Sequence, residues 1–95
     1  MKITIDSNLR IRNSFEPPLQ LELEGSEQGL QDVLQKLNDM HPPLKFIDQG
    51  EMGDDLHHLY LNGESHFSFS EGLKKKIKEG DTIRVEAYLE PLDGH

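Results

Sequence analysis

The stretch Leu19–Met40, LQLELEGSEQGLQDVLQKLNDM, changes its hydrophobic period halfway along. Leu19, Leu21 and Leu23 alternate with Gln20, Glu22 and Glu24, the period-two pattern of a half-buried strand. After Gly25-Ser26, the apolar residues Leu30, Val33, Leu34, Leu37 and Met40 fall at helical spacing. Gln31, Asp32, Gln35, Lys36 and Asp39 take the opposite side. Ser26 offers an N-cap hydroxyl, and Glu27 places a carboxylate where the helix dipole favours it. His41-Pro42-Pro43 ends the segment, because proline cannot donate to a helical turn. A strand that hands over to one amphipathic helix sets the frame for everything on either side.

Upstream, Ile3 and Ile5 alternate with Lys2, Thr4 and Asp6 in a first strand, which Leu9 and Ile11 are expected to continue after a bend. Phe15-Glu16-Pro17-Pro18 reads as the hairpin loop before the second strand, since two prolines remove two ladder donors. Downstream, Leu44–Ile47 is a short apolar run, and residues 48–55 form a loop rich in acids. Leu56, Leu59, Tyr60 and Leu61 make a third strand closed by Asn62-Gly63, a strong two-residue hairpin signal. His66-Phe67-Ser68-Phe69 is read as the return strand, and Glu71–Ile77 as one helical turn with Leu73 and Ile77 inward. Glu79-Gly80-Asp81 is a turn, and Ile83, Val85, Ala87 and Leu89 alternate with Arg84, Glu86 and Tyr88 in a final strand.

Composition narrows the function. Leu, Ile, Val and Phe make up 26 of 95 residues, above the roughly 20% below which a charged chain stays disordered. The net charge of −8 disfavours binding to a nucleic-acid backbone, which calls for clustered Lys and Arg. No apolar run approaches the ~18 residues of a membrane span, and Met1–Ile5 lacks a signal-peptide core, so a cytoplasmic protein is expected. Without cysteine there is neither a disulfide nor a thiolate nucleophile.

The chemistry-bearing residues read mostly as structural. His57 and His58, on a regular strand, point to opposite faces and share no ion, while His58 and His66 are placed to face each other across the hairpin. Exposed strand histidines are the commoner case, and no metal or cofactor is expected. Asp48, Glu51, Asp54 and Asp55 lack the spacing of a calcium loop. Lys74-Lys75-Lys76 and Lys78 form a basic cluster that reads as the solvated side of a turn. No nucleophile motif is present, and a domain of this size leaves little room for a deep pocket of ~300 Å³ or more, so the chain is expected not to be an enzyme.

Strand, strand, helix, strand, short strand, helical turn, strand is the order of a ubiquitin-like β-grasp fold. It is an α+β architecture with a mixed four- to five-stranded sheet and one main helix packed on one face. Residues 1–90 form the domain and 91–95 a flexible tail. Leu61-Asn62-Gly63-Glu64, Gly72-Leu73, Ile77–Ile83 and Pro91-Leu92-Asp93-Gly94 together resemble the sulfur-carrier β-grasp family, which serves molybdopterin and thiamine synthesis. The resemblance implies a protein substrate whose tail, Pro91, Leu92, Asp93, Gly94 and His95, is adenylated and thiocarboxylated by a partner enzyme. Gly94 matches the family's penultimate glycine, whereas His95 stands where the family has its last one. The partners implied are an adenylating, ubiquitin-activating-like enzyme or a sulfur-acceptor enzyme, docked on the exposed sheet face; on the last strand, Arg84 and Tyr88 are the candidate partner-docking residues, whose substitution matters most if the chain is a binding module. The other reading is an interaction module that has kept the fold and lost carrier chemistry.

Overall fold

A computed structural model describes residues 1–25 and 28–87. Its strands are β1 (Lys2–Ser7), β2 (Leu19–Glu22), β3 (Ile47–Asp48), β4 (Glu51–Met52), β5 (Leu56–Leu61), β6 (Glu64–Ser65) and β7 (Thr82–Ala87). The helix α1 spans Leu30–Met40. The main sheet runs β2-β1-β7-β5-β6, with β3 and β4 paired separately. β1 and β7 pair in parallel, Ile5 beside Ile83, at the centre of the sheet. Their neighbours β2 and β5 are antiparallel.

The period-two residues of the strands and one stripe of the helix meet in the core. Ile3, Ile5, Leu59, Ile83 and Val85 from the sheet and Leu30, Val33, Leu34 and Leu37 from α1 are almost fully buried. Met40, expected on the same stripe, is 45% exposed, because the chain turns away one residue later. The helix also begins later than Ser26, a position outside the described residues, as is Glu27. Gly29 is its N-cap, and the Asp32 carboxylate accepts the Gly29 N–H at 2.8 Å. The Leu30 N–H donates to the Lys75 carbonyl at 3.0 Å, so a distant segment satisfies one of the orphan amides.

Four other local readings are corrected, two of them by hydrogen bonds that side chains make. Leu9 and Ile11 do not extend β1, because Ser7 Oγ accepts the Leu9 N–H at 3.0 Å. Asn8 then pairs with the backbone of Ala87 through both ends of its amide and closes the parallel ladder. Residues 66–68 form a 3₁₀ turn instead of a return strand, since Ser65 Oγ accepts the Phe67 N–H and the Ser65 carbonyl accepts the Ser68 hydroxyl. The helical turn shrinks to a 3₁₀ turn over Gly72–Lys74, although Ile77 is buried as expected. The acidic loop contains the β3–β4 hairpin, where Gln49 and Gly50 both take positive φ in a tight two-residue turn.

Candidate functional site

With α1 covering one side of the sheet, the other side carries the polar residues of the same strands. Alternation in β7 turns Ile83 and Val85 inward and leaves Arg84 and Glu86 partly exposed. The registers place Asp6 of β1 beside Arg84, Tyr60 of β5 on its other side, and His58 beside Glu86. Arg84 donates from Nη1 to Asp6 Oδ2 at 2.8 Å and from Nε to Glu86 Oε2 at 3.0 Å. The hydrogen bond to Glu86, then that to Asp6, holds its pKa above the ordinary arginine value. His58 Nδ1 lies 4.0 Å from Glu86 Oε1, and its ring stacks on Tyr60 with centroids 6.1 Å apart. A shallow depression of about 360 Å³ opens between Tyr60, Gly63, Thr82 and Arg84.

This arrangement holds one permanent cation in a fixed orientation between two acids. It supplies oriented hydrogen bonds and a flat aromatic surface, which suits recognition better than bond making. The described part of the predicted docking pair, Arg84, therefore lies on the exposed sheet face. Tyr88 and the tail from Pro91 to His95 lie outside the described residues, so the domain boundary after residue 90 does too.

The histidines are arranged differently from the sequence reading. A bulge between Leu56 and His58 breaks the strand alternation and brings the His57 and His58 rings to 4.3 Å, where opposite faces were expected. His66 does not face His58, because Ser65 is the residue opposite Tyr60 and the chain then turns inward. His66 is buried, and burial pushes its pKa down from the ordinary value, partly offset by its hydrogen bond to the Leu59 backbone. Among the described residues, no group of three or more His, Asp or Glu is placed to hold a metal ion.

Two features escaped the sequence reading. The Asn-Gly and Gly-Asp turns, separate pieces of the sequence pattern, touch each other. Asn62 Nδ2 donates to Asp81 Oδ1 at 3.1 Å, and Asn62 Oδ1 accepts the Thr82 N–H at 2.9 Å. Asp81, 5% exposed, also accepts the Lys78 N–H at 2.9 Å. Their placement 19 residues apart at the two ends of neighbouring strands is the signal that was available. The second is an open groove of about 660 Å³ with Met52, Phe67, Phe69 and Leu73 in its walls. The expected lack of room applies to the interior, whereas this space lies between short surface turns.

No family model matches the chain, and no curated protein matches it in sequence. Several solved structures are similar. The HVO 2177 protein of Haloferax volcanii is 16% identical, with 96% of this chain and 86% of that one covered and a TM-score of 0.71. The SAMP1 protein of Haloferax volcanii is 20% identical over the whole of both chains, with a TM-score of 0.64. Small archaeal modifier protein 1 of Methanosarcina acetivorans is 23% identical over 99% of this chain and 96% of that one, with a TM-score of 0.64. At such identities the likeness is one of fold, and with one helix on a mixed five-stranded sheet that fold is the ubiquitin-like β-grasp.

Proposed function

We propose that the chain is a carrier protein, a substrate and not an enzyme, whose tail is adenylated and then thiocarboxylated by a partner enzyme. The observation that carries this reading is the position of β7. It is a central strand, it runs parallel to β1, and the tail pattern Pro91-Leu92-Asp93-Gly94 begins after three intervening residues. An activating enzyme that grips the sheet face around Arg84 holds the strand from which the tail continues. The names of two similar structures, both modifier proteins, support the same direction.

The chemistry falls on the partner. Attack of a tail carboxylate on the α-phosphate of ATP forms an acyl adenylate and releases pyrophosphate. A sulfur nucleophile then displaces AMP, leaving a thiocarboxylate. Near the reacting carbon a residue without Cβ passes a narrow channel most easily, a place Gly94 fills. His95 favours the second reading, an interaction module without carrier chemistry, because it sets a bulky side chain on the carbon next to the carboxylate that would react.

The two are separated by preparing the chain ending at His95 and a version ending at Gly94. Each is incubated with the source organism's adenylating enzyme, ATP and a sulfur donor, and its intact mass is measured. Exchange of one oxygen for one sulfur at the terminus of either form is the expected result. Two unmodified chains overturn the carrier reading in favour of the module.

A further inference from the structure

The groove beside the 3₁₀ turns shares no residue with the depression around Arg84. Its apolar end is walled by Met52, Phe67, Phe69 and Leu73, and Phe67 is 72% exposed, the most exposed large apolar side chain among the described residues. Phe69 also borders an adjoining depression of about 360 Å³ that carries Lys75, Lys76 and Lys78 against Glu64 and the buried Asp81. The two hollows meet at the Phe69 ring and are treated together as one trough, with apolar side chains at one end and an excess of lysine at the other. Lys75 joins the ends, its Nζ 5.2 Å from the Phe69 ring centroid and 4.0 Å from Glu71.

The polarity of this trough is unusual for the molecule. The chain carries 18 acids against 10 Lys and Arg, yet four lysines fall within positions 74–78. Exposed apolar surface set beside concentrated opposite charge is the signature of an interaction site. The apolar end keeps Glu51 and Glu71 on its rim, which repel a continuous polyanion such as a nucleic acid. An occupant must therefore be apolar at one end and acidic at the other.

We propose that this trough docks an extended peptide segment of a partner protein. One large apolar side chain lies against Phe67 and Phe69, and adjacent carboxylates lie over Lys75 and Lys78. The site is a second surface, independent of the sheet face and of any chemistry at the tail.

The test uses the isotope-labelled full chain and a capped pentapeptide of one phenylalanine followed by glutamates, followed by NMR. Saturable shifts confined to residues 52, 67–69 and 73–78 are expected, and Arg84→Ala should leave them unchanged. Lys75→Glu with Lys78→Glu should weaken binding about fivefold or more, and Phe67→Ser should remove it. Because Phe67 and the lysines are surface residues, retained shift dispersion in the variants confirms that folding is intact. Equal binding of a peptide with lysines in place of the glutamates overturns the proposal. So does a single-stranded oligonucleotide that binds the trough more tightly than the peptide, or shifts centred on residues 58–60 and 84–86.

Discussion

Arg84 and His66 show how differently a charge behaves on the two sides of one sheet. Arg84 is tied at 2.8 and 3.0 Å to carboxylates on two strands, yet it is more than a third exposed, so the ion pairs add little to stability. Arg84→Ala should leave the unfolding free energy nearly unchanged. If the proposed carrier function holds, it should nonetheless weaken capture by an activating enzyme, which surface-immobilised binding measures, and Arg84→Lys should not restore it, because an ammonium lacks the planar fork. His66 is the opposite case. Its folded-state pKa is pushed below the ordinary 6.5, so the unfolded chain takes up the proton first. Its contribution to stability is complete above about pH 6.5 and is lost as the pH falls from there through the folded-state pKa. Urea unfolding at about pH 7.5 and about pH 5.5 should show a smaller loss for His66→Leu than for the parent chain. Parallel losses in the two proteins would contradict the assignment.

At the scale of elements, the Asn62–Asp81 contact fastens the β5–β6 hairpin to the start of β7. Asp81→Ala leaves the Asn62 amide and the Lys78 N–H without a buried acceptor and should cost about 1–3 kcal/mol. Asn62→Ala should cost a similar amount, and the double variant clearly less than the sum of the two, as a chemical-denaturation cycle would show. Gly53 behaves as a packing residue. A Cβ there would run into the Lys45 carbonyl oxygen, so Gly53→Ala must displace backbone and should lower the melting temperature. Periodicity made α1 and the four long strands legible, because Leu30, Val33, Leu34 and Leu37 or Ile83 and Val85 report their own burial through spacing. Asn62-Gly63 announced its turn through local backbone chemistry. Most of what stayed hidden rests on contacts between distant residues. The Lys75 carbonyl that receives the Leu30 N–H and the Gly53 contact with Lys45 have no local pattern, while the Ser65 hydroxyl that curls residues 66–68 is a local signal that the apparent strand alternation masked. The docking pair was half recoverable for the same reason: alternation alone turns Arg84 outward with Glu86 two residues along the same face, but Asp6 reaches it only through the register of β1 on β7.

For the whole molecule, every core residue among those described lies between Ile3 and Val85. Removal of residues 91–95 should therefore leave the thermal unfolding midpoint unchanged while abolishing any tail modification, and a clear fall in the midpoint would mean that the tail packs on the domain. The parallel pairing of β1 with β7 has a further consequence, which concerns force. In a hairpin, pulling the two ends apart breaks the ladder one hydrogen bond at a time. Here the N-terminal end of β1 and the C-terminal end of β7 lie at opposite ends of one parallel pair, Thr4 beside Thr82 and Ser7 beside Val85. Tension between the chain's two ends slides these strands past each other and loads the whole ladder together. A molecular motor that drags the domain by its tail thus meets its greatest resistance at the very first step.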